Sequence, residues 1–408
     1  MHYQYLIIGG GIAGVTAAET VRQHNPDATI AIVGSEAHVI YSRVLLPAFL
    51  KKRIPRTALF LRTVEDFTAK KIVLYQQETL ISIDVKHKDV VLENGKTFQY
   101  DKLLLATGGN VKPWGKPEDQ HIIYRLQTLD DADRLSEHIP TITNPLVVGA
   151  SFISLELLEI FLANHIVPTL LVRDSHFFGS ILEEQGGALM QQNFDHLGIK
   201  THYHDTIATI EYKERGAEIT TKTLKKMSCD AIGVGIGIDR DFGYAQSAGI
   251  DVGQHGILTN EYLETNQPDV FACGDVAEFY DGIADKQHTV GNWTNAVLQG
   301  KRAGLNMLGQ REKFTYVPSY SITNLGFQIT AVGDCSRHEG AIVRVDPVHK
   351  QYERFFFKED VLAGAILINR FADKAHIAML IENRTHISQW RKQLADMAFD
   401  IHAIKMVA

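Results

Sequence analysis

Short runs of consecutive apolar residues, each followed by a glycine-bearing turn and a helix-forming stretch, recur along this chain. Tyr5-Leu6-Ile7-Ile8 is the first such run; Gly9 to Gly14 follows, then Val15 to Arg22 and a second apolar strand, Thr29 to Val33. Runs this short and this apolar predict strands covered on both faces, as in a parallel sheet. Between Leu80 and Gly108 the pattern changes to alternation, with a hairpin turn at Asn94-Gly95, and it closes on Leu103-Leu104-Leu105-Ala106-Thr107-Gly108. The strand–turn–helix unit returns at Pro145 to Ser154, with Leu155 to Ala163 as its helix and Thr169 to Val172 as its next strand. Further on, Trp293 to Leu308 predicts a helix. From about Phe327 come short strands (Ile342 to Val345, Gln351 to Phe357, Leu362 to Ile368) and two helical patterns, Lys374 to Glu382 and Ile387 to Phe399.

The repeated unit predicts an α/β protein with two Rossmann-like nucleotide-binding domains, the second inserted in the first, and a small C-terminal α+β domain. The Gly- and Pro-containing stretch Asn110 to Pro117 marks one crossing between them, and Gly233 to Gly237 the return. The expected boundaries are 1–113 with 240–325 for the first domain, 114–239 for the second and 326–408 for the third.

The first turn reads Gly9-x-Gly11-x-x-Gly14. Gly9 allows the tight turn, Gly11 lets backbone approach a pyrophosphate, and Gly14 lets helix and strand pack closely. The helix amino end, with Ile12 and Ala13 in the turn that leads into it, offers unpaired N–H groups to an anion. Glu36 follows Gly14 by 22 residues, where an acid binds a ribose hydroxyl. Far along the chain, Val270-Phe271-Ala272-Cys273-Gly274-Asp275 suits the ribityl chain of the same cofactor, FAD.

Composition narrows the class. The 408 residues are 45% hydrophobic and 22% charged, which is ordinary for a globular enzyme with a large core. A net charge of −7 argues against non-specific nucleic-acid binding. The longest apolar stretch, Leu155 to Val172, is interrupted by Glu156, Glu159, Asn164, His165 and Pro168, so no membrane insertion is expected. No secretory leader is visible, and a cytoplasmic location is the expectation. The three cysteines, Cys229, Cys273 and Cys335, form no local redox pair or metal cluster. The His202/His204 and His196/His202 pairs lack the carboxylate or cysteine pattern of a metal site.

With these motifs in order, the chain resembles the FAD-dependent pyridine nucleotide oxidoreductases, and within them the rubredoxin and ferredoxin reductases and the flavin-binding part of assimilatory nitrite reductases. Besides the motifs above, Tyr41-Ser42-Arg43, Tyr100-Asp101-Lys102, Asn295-Ala296, Gln299-Gly300 and Gly364-Ala365 carry the likeness. The resemblance implies that Glu36 holds the adenosine ribose, Arg43 the pyrophosphate and Thr107-Gly108 the cofactor at the domain crossing. It implies that Asp275 accepts from the ribityl chain, and it places Leu80, Ala106 and Gly274 against the cofactor. Trp293 is similar to an aromatic beside the flavin; as a sequence feature it reads equally well as a core anchor.

Two departures from the family pattern stand out. Where disulfide reductases carry paired cysteines and other relatives a single one, this chain reads Tyr41-Ser42-Arg43-Val44-Leu45-Leu46-Pro47, so disulfide substrates are not expected. A lysine that some ferredoxin reductases hold near the flavin falls at Ala48, with Lys51 and Lys52 close by. The second fingerprint is altered to Gly149-x-Ser151-x-x-Ser154; the Ser151 hydroxyl either donates to a pyrophosphate or crowds it. No acid stands after the second strand, and Arg173 there would meet a 2′-phosphate and favour NADPH over NADH, unless it is simply solvated. Glu156 resembles the family glutamate that faces nicotinamide and flavin.

The resulting expectation is an oxidoreductase that takes hydride from NADH or NADPH onto FAD and passes electrons to a small carrier of the rubredoxin or ferredoxin type. No catalytic acid or nucleophile is required, because the cofactor carries the chemistry. An NADH oxidase using oxygen, and a redox sensor or scaffold with FAD as structural ligand, stay open on sequence alone. So does a homodimer through the C-terminal domain.

Overall fold

A computed structural model describes residues 1–115, 121–336 and 340–405. The chain divides into two compact units: Met1–Val44 with Arg56–Asn110 and Ile238–Tyr316, and Leu45–Pro55 with Val111–Gly237 and Val317–Ala408. The crossing expected at Asn110 to Pro117 runs in part into residues 116–120, outside the described residues.

The first unit is built on strands β1 (His2–Ile8), β2 (Ile30–Val33), β3 (Ile72–Tyr75), β4 (Leu80–Asp84), β5 (Asp89–Leu92) and β6 (Thr97–Leu105). They lie in the order β3-β2-β1-β6-β5-β4, and the strand Val270–Ala272 also pairs with β6. β1, β2, β3, β6 and Val270–Ala272 run parallel. Their central residues are covered on both faces, which is why they read as unbroken apolar runs: Leu6, Ile7, Ala31, Leu103, Leu104 and Leu105 have no exposed surface. β4 and β5 form the expected antiparallel meander onto β6, and Gly95 takes the positive φ of +81° that its hairpin turn requires.

Helix α1 (Ile12–His24) covers this sheet and packs along the helix Trp293–Met307. A Cβ on Gly300 would lie 2.3 Å from the Ala13 carbonyl oxygen, and one on Gly304 would lie 2.8 Å from that of Ala17. Two glycines one turn apart therefore let the helix backbones touch. Arg22 closes the other end of α1 by donating to the carbonyls of Asn25, Pro26, Ala28, Lys70 and Lys71.

In the second unit the strands Lys200–His202, Thr169–Leu171, Pro145–Val148, Ala231–Val234 and Ile123–Tyr124 form a parallel sheet in that order. The helix Phe152–Ala163 packs on it, and a three-stranded antiparallel meander spans residues 207–229. A five-stranded antiparallel sheet follows, ordered Ser319–Asn324, Phe327–Gly333, Val361–Ile368, Gln351–Lys358 and Ala341–Asp346, with the helix Lys374–Glu382 on it. The pattern predicts a helix over Ile387 to Phe399, but only a 3₁₀ turn at Ser388–Trp390 and a four-residue α-helix at Arg391–Leu394 form there. The fully buried Arg344 explains the difference: it pairs with Glu353 and donates to the carbonyls of Asp396 and Phe399, drawing this segment onto the sheet edge instead.

Candidate functional site

In the first unit, strand register assembles a crevice at the carboxyl edge of the sheet. Ile8 lies opposite Val33 and Leu105, and Leu105 lies opposite Ala272. The residues that follow each strand end, Gly9, Ala106 and Cys273-Gly274, must then stand side by side. Gly9 has φ +123°, and a Cβ there would sit 2.1 Å from the Ala106 carbonyl oxygen. A Cβ on Gly14 would strike the Gly9 carbonyl oxygen at 2.1 Å, whereas one on Gly11 would meet nothing within 4 Å. Two glycines thus serve packing, and the middle one faces open space. Gly11 caps α1 without a side-chain bond, so the N–H groups of Ile12, Ala13 and Gly14 remain available to an anion.

The distant ribityl motif joins this crevice directly: a Cβ on Gly274 would come within 3.0 Å of the Ala13 Cβ. The Gln299 side chain fixes Gly274 by accepting its N–H at 2.8 Å. Burial pushes the Asp275 carboxyl above the usual carboxylate range, and Arg240 and Arg43 pull it back. Its carboxylate accepts no hydrogen bond from the described residues, while Arg240 holds the backbone by donating to the Asp275 carbonyl at 2.5 Å. An acceptor of this kind, set beside a phosphate cradle, fits the hydroxyls and diphosphate of FAD.

The other predicted residues fall around the same edge. Glu36 accepts from Tyr41 Oη and from Arg43, both at 2.5 Å, and remains about a third exposed, with lone pairs to spare for a ribose. Thr107 is exposed and Gly108 has φ +67°. The Thr107 hydroxyl shares a 2.9 Å hydrogen bond with Tyr244, a partner the sequence pattern gives no hint of. Leu80 begins β4 and packs against the sheet core, two residues beyond Glu78, whose N–H donates to Gly34 next to Gly10. Trp293 opens its helix half-buried and is not part of the core cluster that α1 and this helix share.

The second unit carries the altered fingerprint. Gly149 keeps φ +115°, and a Cβ there would lie 2.4 Å from the Gly235 carbonyl oxygen. Ser151 is the N-cap of the helix Phe152–Ala163: its Oγ accepts from the Ser154 N–H at 3.2 Å and donates to the Gly235 carbonyl at 2.8 Å. The serine therefore neither points freely at a ligand nor merely crowds it; it satisfies an N–H that the first fingerprint leaves open. Ser151→Gly should free that N–H at a cost of only a few tenths of a kcal/mol, because glycine is itself a tolerated cap. Calorimetry should show tighter NADH binding, and unchanged or weaker binding would contradict the cap as the obstacle. Arg173 is 81% exposed, its guanidinium lying 3.3 Å from Asp174.

One turn and more into that helix stand two glutamates of opposite character. Glu159, 14% exposed, pairs with Lys51, itself only 5% exposed, and has Arg53 at 3.4 Å. Asn324, with its amide nitrogen turned toward Glu159, donates to the same carboxylate. Glu156 accepts no hydrogen bond from the described residues. Burial raises its carboxyl to about 7; Lys51 lowers it and Glu159 raises it further.

Sulfur takes no part in either site. Cys229 and Cys273 are buried, and burial pushes the Cys273 thiol far up and those of Cys229 and Cys335 to about 12. All three are held as unreactive thiols. Among the described residues no group of three or more His, Cys, Asp or Glu could hold a metal ion, and no helix is long and apolar enough to cross a membrane.

Residues 3–300 match the family described as pyridine nucleotide-disulphide oxidoreductase. The chain belongs to that family. Residues 318–385 match the rubredoxin NAD+ reductase C-terminal domain, which the five-stranded sheet and its helix constitute. Among relatives of this oxidoreductase, apoptosis-inducing factor 3 of Mus musculus is 28% identical over 89% of the chain and 60% of its own length. The chain thus spans about three fifths of that relative. The NADH-rubredoxin oxidoreductase of Clostridium acetobutylicum is 26% identical over 89% of the chain and 90% of its own. In fold, the chain superimposes on the reductase of a covalent putidaredoxin reductase–putidaredoxin complex with a TM-score of 0.90. That likeness covers 97% of this chain and 96% of that one, at 22% identity.

Proposed function

We propose that this family member is an FAD-dependent NAD(P)H oxidoreductase that delivers electrons to a small redox carrier of the rubredoxin or ferredoxin type, working in the cytoplasm. The observation that carries the reading is the single crevice made by Gly9 to Gly14, Ala106 to Gly108 and Gly274-Asp275, in a protein whose thiols are all buried or raised. Bound FAD would supply the chemistry of accepting a hydride from nicotinamide and releasing the electrons singly.

The chain's own residues have binding and orienting roles. Gly11 and the N–H groups of Ile12, Ala13 and Gly14 hold the diphosphate, with Arg43 as its counter-charge. Glu36 accepts from the adenosine ribose and Asp275 from the ribityl hydroxyls, while Leu80 and Trp293 flank the cofactor. Residues 1–113 and 240–325 form the FAD domain and 114–239 the pyridine-nucleotide domain, with Gly149, Ser151, Glu156 and Arg173 in its site; residues 326–408 form the small α+β domain. The missing thiol matters most for the outlet: without a sulfur intermediary, a one-electron carrier is the acceptor the site suits.

Anaerobic rapid mixing tests this. NADH or NADPH is expected to bleach the flavin absorbance, and a rubredoxin or ferredoxin added next should restore it faster than air does. A flavin that neither nucleotide bleaches would favour a sensor or scaffold. Recolouring faster with oxygen than with any carrier would favour an oxidase.

A further inference from the structure

The helix Phe152–Ala163 presents its two acids one turn apart, and the segment facing it offers only one turn's worth of cation. Ala48 lies three residues before Lys51, just as Glu156 lies three before Glu159, so each pair shares a helix face. Lys51 is spent on Glu159, inside an ion pair that Asn324 and Arg53 complete. At the position one turn before Lys51, where a second cation would serve Glu156, the chain has Ala48.

The elements that pack most on this helix bring Glu156 no cation beyond Lys51 and Arg53. The strands Pro145–Val148 and Ala231–Val234 carry no titratable side chain. The strand Ser319–Asn324 brings Tyr320, a phenol whose own ionisation is suppressed by burial and by Glu156, and whose ring meets Phe152 at 4.9 Å. The short helix Leu46–Leu50 brings no charge until Lys51, with Arg53 beyond it. The remaining charge is Glu159, a like charge. An acid in an apolar, half-closed setting, with its nearest cation committed elsewhere, holds its proton to higher pH than a solvated one.

We propose that Glu156, with Lys51 committed to Glu159, sets the discrimination between oxidised and reduced pyridine nucleotide at this site through its own protonation. This rests on the reading of the second fingerprint as the nucleotide site. The reduced nicotinamide ring is neutral and the oxidised ring is a cation. A carboxylate near it would hold the oxidised product more tightly than the reductant; a neutral acid treats the two rings almost alike. The Lys51–Glu159 pair is then a positioning device: Glu159 holds the lysine and opposes the ionisation of Glu156, against the pull of Lys51 itself.

The sign of the pH effect follows. The carboxyl is raised to about 7, so it is protonated below that pH and ionises above it. Between pH 6 and 8 the protonated fraction changes by roughly tenfold. Affinity for NAD+ should therefore rise with pH relative to ADP-ribose, which has no nicotinamide ring and serves as the neutral reference.

The test is calorimetric titration of the FAD-loaded, oxidised protein with NAD+ and with ADP-ribose from pH 5.5 to 8.5, on the wild type and Glu156→Gln. The expected result is an NAD+ to ADP-ribose affinity ratio that climbs several-fold through pH 7 in the wild type and stays flat in the variant. In parallel, infrared difference spectra of the same protein should show one protonated-carboxyl stretch lost near pH 7 and absent from Glu156→Gln. A ratio independent of pH in the wild type, or a Glu156 that is a carboxylate throughout, overturns the proposal. If neither ligand binds at any pH while the infrared signal titrates, the nucleotide site itself is wrong, and the discrimination falls with it.

Discussion

Gly300→Ala is expected to yield a protein that loses most of its flavin on gel filtration. The added Cβ would stand 2.3 Å from the Ala13 carbonyl oxygen, against backbone rather than a side chain that could swing away. To regain van der Waals contact the helix Trp293–Met307 and α1 would have to part by roughly 1 Å. Overpacking of this kind costs about 1–3 kcal/mol of stability. The larger effect is on the cofactor, because these two helices carry the two halves of its site. α1 presents the N–H groups of Ile12 to Gly14, and Gln299, next to Gly300, fixes Gly274. Losing even one hydrogen bond to a phosphate is worth about 1.5–3 kcal/mol, so FAD affinity should fall roughly tenfold to a hundredfold. Fluorescence titration of the apoprotein with FAD would measure it. Gly282→Ala is the control, since a Cβ there meets nothing within 4 Å. Equal flavin retention by the two variants would refute the close-contact argument.

Glu159→Gln should be the most damaging single change in the second unit. It would leave the Lys51 ammonium, 5% exposed, without a charged partner. Breaking one side of a buried ion pair costs about 3–5 kcal/mol, most of it the penalty of the abandoned charge. Lys51→Met should cost less, because Arg53 and Asn324 still satisfy the carboxylate. The double variant Lys51→Met, Glu159→Leu should recover much of the loss, since an apolar pair of similar volume removes both buried charges. Hydrogen exchange of the helix Phe152–Ala163 is the appropriate readout, because it reports local opening without assuming that the whole chain unfolds in one step. Exchange as slow in Glu159→Gln as in the wild type would show that the pair contributes little.

What could be read from the sequence was what repeats or what only glycine can do. Unbroken apolar runs gave away the parallel strands because burial on both faces removes alternation, and the φ and clearance demands at Gly9, Gly14 and Gly149 admit no other residue. The pairing of Gly9 to Gly14 with Gly274-Asp275 was legible as two motifs for one cofactor, and strand register shows why they meet. Less could be read where a side chain's partner is remote in sequence. Lys51 was visible as a lysine near Ala48, but its partner lies 108 residues away and depends on how two helices face each other. Tyr244, which holds Thr107, leaves no signal in a helical turn of ordinary composition. The segment Ile387 to Phe399 has helical periodicity, yet a buried arginine competing for its carbonyls overrides local propensity. The serines of the second fingerprint looked like erosion; their geometry is that of a capping box.

The first unit is assembled from three separate stretches, the last of which ends at Tyr316. Domains emerging from the ribosome fold as units, in order of synthesis. Here the amino-terminal 237 residues contain the phosphate turn but neither Gly274-Asp275 nor the Gly300 helix that packs on it. A nascent chain therefore cannot retain its prosthetic group until translation has passed the helix Trp293–Met307. Truncations ending before that helix should emerge from expression as apoproteins prone to proteolysis.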